Sequence, residues 1–203
     1  MEENHEPDFE IIAVEPIYPN GLRGESMMIG GLSDLKEFAQ KIADGGNYID
    51  AELTADLDMT NWSSIAPMVI TGIDLPAYNG TFNGNGHTIK LTKHSDSDFG
   101  NSALFYSIGP EGVVKDLTLR VDFAGKGSGL AYKSHGRVER VTLHGSINVP
   151  ERGFVGGLVY EASGPNAVFY ECANYRGQVY KDERRRVQER HSTGCLERAP
   201  ERR

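Results

Sequence analysis

Two aspartates two residues apart, Asp56 and Asp58, are the first candidates for chemistry in this 203-residue chain. On a strand, side chains at i and i+2 project to the same side, so the two carboxylates are candidates to share a cation. A calcium ion takes about six or more oxygens, and Asn61 and the Asn83/Asn85 turn offer some. The plainer reading is a turn in which Asp58 and Asn61 accept backbone N–H groups. Zinc chemistry finds less support. His5-Glu6 is followed by Pro7 with no second histidine in place, so the His-Glu-x-x-His pattern of a metallopeptidase is absent. Cys172 and Cys195 fit neither a zinc spacing nor a disulfide framework. Asn83-Gly-Asn-Gly-His87 and Gly125-Lys-Gly-Ser128 lack the remaining residues of phosphate-binding loops and read as turns. No catalytic residue is singled out, and no cofactor is expected. The binding candidates are Trp62, Tyr78, Tyr106 and Tyr132, provided they are exposed on one face; core packing is the alternative for each.

The bulk composition narrows the partners. The formal net charge is -8, but Lys181–Arg203 holds 8 Lys+Arg against 5 Asp+Glu. Residues 1–180 are therefore strongly acidic, which disfavours nucleic acid and anionic membranes. No stretch approaches a membrane span, and the acidic start has no signal-peptide pattern.

The elements that must position these residues are short strands with one helix. Residues 1–31 read as a lead-in. Ser33 as N-cap and Leu35, Phe38, Ala39 and Ile42 at helical spacing predict an amphipathic helix over 33–45, stopped by Gly45-Gly46. Beyond it the period becomes two, and apolar blocks return. Val114-x-x-Leu117-x-Leu119 recurs as Val138-x-x-Val141-x-Leu143, and Phe169-x-x-Cys172 repeats its start. Gly145 aligns with Gly177 by the same logic, and Ile89 with Val114. Between these lies a second series: Ala103-Leu-Phe105, Gly129-Leu-Ala131 and Gly157-Leu-Val159. Two interleaved series with returns of 24 to 32 residues predict a solenoid. The fold expected is all-β: a right-handed parallel β-helix over 32–180, with helix 33–45 covering its first end. A β-sandwich, whose strands need not resemble one another, is the weaker alternative. Residues 181–203 break the pattern and read as a disordered or out-of-frame basic tail.

Several blocks resemble a known family. Leu53-Thr-Ala-Asp-Leu-Asp58, Tyr78-Asn-Gly-Thr-Phe-Asn-Gly-Asn-Gly-His-Thr-Ile89, Ser102-Ala-Leu-Phe105, Val114-Lys-Asp-Leu-Thr-Leu119 and Gly156-Gly-Leu-Val159 resemble the coils of GLUG-type bacterial surface proteins. They are also similar to the non-catalytic N-terminal β-helix region of immunoglobulin-A-cleaving metallopeptidases. The resemblance implies a monomeric structural or adhesive module, extracellular or on the cell surface in its parent protein, with a host or matrix glycan or protein as partner. Polysaccharide-degrading enzymes also use β-helices, as do accessory regions of larger peptidases. The outward positions Lys115/Asp116, Glu139/Arg140 and Tyr170/Glu171 form a mixed charged face without the stacked carboxylates such an enzyme needs.

Overall fold

In a computed structural model of the chain, the described residues are 26–60, 68–70, 75–94, 103–124, 127–148 and 156–176. Thirteen strands and one helix occur among them: β1 (Ser26–Ile29), α1 (Leu32–Ala43), β2 (Asp50–Leu53), β3 (Leu57–Asp58), β4 (Met68–Ile70), β5 (Thr81–Asn83), β6 (Thr88–His94), β7 (Ala103–Ile108), β8 (Val113–Ala124), β9 (Ala131–Ser134), β10 (Arg137–Asn148), β11 (Val159–Ala162), β12 (Val168–Tyr170) and β13 (Ala173–Arg176). Trp62, Asn61, residues 1–25 and the tail 181–203 lie outside the described residues.

The strand pairs are parallel. One sheet runs β1-β2-β5-β8-β10-β12, with β3, β6 and β13 completing a second row beside it; the other runs β4-β7-β9-β11. The chain is a parallel β-solenoid, and Val114 lies directly against Val138 as the repeat requires. Equivalent apolar residues stack inside. Met27, Ala51, Phe82, Val114, Val138 and Phe169 form one column. Leu57, Ile89, Leu119 and Leu143 form another. On the facing sheet, Phe105, Ala131 and Val159 are in register, as the second series predicted. No single coil has a partner for its apolar side; stacking supplies it.

Two alignments differ from the sequence reading. Ile89 pairs with Leu119, and it is Phe82 that pairs with Val114. The four residues 84–87 face only two, Asp116 and Leu117, so a constant offset misplaces the coil. Gly145 pairs with Arg176, one residue short of the expected Gly177. The ladder also starts before residue 32, because β1 pairs along its whole length with β2.

The helix begins one residue early. Gly31, extended, is its N-cap, and Ser33 lies inside the first turn. Asp34 explains the shift: its Oδ2 accepts the Gly30 N–H at 2.9 Å, the reach-back of an acidic residue in the first turn. The helix stops at Ala43, followed by Asp44 and by Gly45 at φ 103. Leu35, Phe38 and Ile42 are fully buried. Phe38 meets Tyr78 edge-on at 5.8 Å and Phe82 at 5.9 Å. The helix connects β1 to β2 and packs against β1 and β4, the edge strands of both sheets at this end. It therefore closes the mouth of the coil interior.

Candidate functional site

An open groove of about 360 Å³ is lined by Asn83, Asn85, Gly86, Asp116, Leu117, Thr118 and Arg140. Its position follows from the unequal corners. Residues 84–87 bulge relative to the two-residue corner of the next coil, tied to it by Gly84 N–H and Gly86 N–H donating to the Lys115 and Asp116 carbonyls at 2.8 and 2.7 Å. Asn85, Asp116, Arg140 and Glu171 all turn the chain with φ between 48 and 53. Asn and Asp tolerate this left-handed region better than most residues; Arg and Glu adopt it at a cost. Stacking offsets that cost. The Arg140 guanidinium grips Asp116 with two bonds, Nε to Oδ1 at 2.5 Å and Nη2 to Oδ2 at 2.9 Å. The Arg140 hydrogen bond holds the Asp116 carboxyl below the usual carboxylate range. Asn83 Oδ1 accepts from Asn85 N–H at 3.1 Å, and Asn85 Nδ2 donates to the Leu53 carbonyl at 2.9 Å.

The four aromatic candidates do not form one surface. Tyr78 is fully buried: its ring stacks on Phe105 at 5.3 Å and its hydroxyl donates to the Ile49 carbonyl at 3.0 Å. Burial raises its pKa well above the usual tyrosine range. It is a core residue, placed inside because that carbonyl gives its hydroxyl a partner. Tyr106 and Tyr132 are half-buried on the outside of the second sheet and do come together. They stack at 5.3 Å, and Tyr160, which the sequence reading passed over, continues the column at 5.0 Å with rings only 6° apart. The signal for Tyr160 was present, since it follows Gly157-Leu158-Val159 as Tyr132 follows Gly129-Leu130-Ala131. The rings of this ladder spend their faces on each other. A sugar stacks on a free aromatic face, so the middle ring presents only its edge and hydroxyl to a ligand.

Asp56 and Asp58 do not share an ion-sized site. Asp56 precedes strand β3, so the two-residue alternation does not apply to it. Its Oδ1 accepts the Thr88 N–H at 2.8 Å and faces His87 Nδ1 at 3.2 Å. These bonds, the Thr88 N–H foremost, lower its pKa. Asp58 accepts the Thr60 N–H at 2.9 Å and the Thr60 hydroxyl, and pairs with Lys90 at 3.2 Å. Its pKa falls to about 2, chiefly through the Thr60 hydroxyl. Asp58 thus makes a turn bond to a backbone N–H, and Asn61 lies outside the described residues. Among the described residues no group of three or more His, Cys, Asp or Glu is placed to hold a metal ion. His87 and His135 stay apart; His135 Nδ1 lies 3.1 Å from the Ser163 hydroxyl and 2.9 Å from its carbonyl. No helix among the described residues is long and apolar enough to cross a membrane.

No family of known proteins matches the chain. No solved structure matches it either. It is similar to Halomucin of Haloquadratum walsbyi, with 28% identity over 153 residues, covering 71% of this chain. The chain spans about 2% of that protein's length.

Proposed function

We propose that the chain is a non-catalytic structural or adhesive module of a surface-displayed or secreted protein, engaging a matrix or host glycan or protein. One observation carries the reading. Four outward pairs hold coil to coil: Asp56 to His87, Asp58 to Lys90, Asp116 to Arg140 and Lys133 to Glu161. Groups committed to pairs across the ladder serve the integrity of a rod, whereas a hydrolase or lyase needs its carboxylates aimed at a shared substrate atom. The similarity to Halomucin supports an extracellular setting, in line with the resemblance of several blocks to GLUG-type surface proteins. The test is a glycan and matrix-protein array probed with the full chain, alongside incubation with uronate polymers. Array binding without depolymerisation is expected. A rise in reducing or unsaturated ends would replace the proposal with an enzyme; array silence would leave only the scaffold role.

A further inference from the structure

We propose that the corner groove between β5–β6 and β8–β10 is the sugar-binding subsite of this module, and that it takes a neutral hexopyranose unit of a glycan. The inference rests on the adhesive reading and names its ligand class and place.

Three features point there. The first is shape: the corner leaves an open groove of about 360 Å³, at the lower end of the range of small-ligand sites. The second is the polar inventory. Asn83 Nδ2, Asn85 Oδ1 and the Thr118 hydroxyl have no protein partner among the described residues. An amide donor, an amide acceptor and a hydroxyl thus line one groove beside the Asp116–Arg140 fork. That fork adds more of both kinds. A carboxylate has about four lone-pair sites and a guanidinium five N–H donors; the grip between them uses two of each. Alternating donors and acceptors suit vicinal hydroxyls, each of which both gives and takes a hydrogen bond. The third feature is charge. Asp116 and Arg140 cancel within the lining, and Glu139, which also accepts from Arg140 at 3.5 Å, makes the rim slightly acidic. A uronate or sulfate would have to compete with Asp116 for Arg140, and a cationic ligand with Arg140 for Asp116. No aromatic ring lines the groove, so affinity for a single sugar belongs in the millimolar range, and useful adhesion comes from several modules on one polymer.

The test uses the full chain with methyl α-mannoside, methyl β-galactoside, methyl β-glucoside, N-acetylglucosamine and galacturonate in saturation-transfer NMR. At least one neutral sugar should receive saturation, in preference to galacturonate. Asn83→Ala and Thr118→Val should each weaken that binding about fivefold, the worth of one neutral hydrogen bond, with thermal melts confirming that both variants fold. Tyr132→Phe, on the other sheet, should leave it unchanged. Transfer to galacturonate alone, transfer to none of the sugars, or undiminished binding by folded Asn83→Ala and Thr118→Val overturns the groove as the site. If a glycan on the array is still bound while the groove variants have no effect, the adhesive reading stands and only this placement falls.

Discussion

Among single residues, the carboxylates and the tyrosine column give the clearest expectations. Asp56, Asp58 and Asp116 have pKa values below their unfolded values in the fold. A depressed carboxylate contributes stability that is full above its unfolded pKa and lost as pH falls through the folded one. The urea midpoint should therefore hold from pH 7 to about 4 and decline between about 4 and 2; a flat midpoint across that window would contradict the pairs. The tyrosine ladder makes a graded prediction. Tyr132 stacks on two neighbours, Tyr106 and Tyr160. Each stack is worth about 0.5–1.5 kcal/mol beyond its buried area. Tyr132→Ala should thus cost about 1–3 kcal/mol more than Tyr132→Phe, which keeps both stacks, read from paired chemical melts. These sites were only partly legible in sequence. The Asp58 turn follows from local chemistry, because the partner Thr60 is two residues away. For Tyr78 the sequence leaves contact and core open, because nothing in its neighbourhood reveals that Ile49, a coil earlier, offers it a carbonyl.

The elements obey the repeat more closely than the side chains do. Strands β8 and β10 match over eleven residue pairs at a constant offset of 24, the longest register among the described residues. Gly145 is the tightest point of that pairing. Its φ is 121, and an added Cβ would collide with the Val121 carbonyl oxygen. Gly145→Ala should therefore destabilise by roughly 2–3 kcal/mol, with the loss visible as faster amide exchange along β10. Helix α1 is the other decisive element. Phe38 is fully buried against two rings, so Phe38→Ala should lower stability by about 3–5 kcal/mol. Phe38→Asp should leave a chain that aggregates on gel filtration, since it opens the coil interior. An unchanged melt for either variant would mean that the helix is not a closure. The helix was readable from its apolar stripe. Its exact start was not, because the Asp34 reach-back to Gly30 outweighs the intrinsic preference of Ser33 for the cap. The coil at 81–94 was misaligned for a similar reason: its longer corner changes the offset without disturbing the stack.

At the largest scale, the two ends of the stack formed by the described residues are unlike. One carries α1; at the other, Val168, Tyr170 and Tyr175 remain 46%, 53% and 59% exposed. Unfolding should begin at the less covered end, so amide exchange of β11–β13 should precede that of β8 and β10, and Phe169→Ala should cost less than Val114→Ala despite removing a larger side chain. The parallel ladder also has a mechanical corollary. Backbone bonds between coils point along the long axis, so a pull on the two ends loads them in series, one rung at a time, where a pull across the strands would share the load among many. Under axial tension the rod should pay out chain coil by coil, at low force, in steps of roughly 80–110 Å. A module built this way lengthens under drag and winds back when the load is released, behaving as a shock absorber rather than a rigid spar.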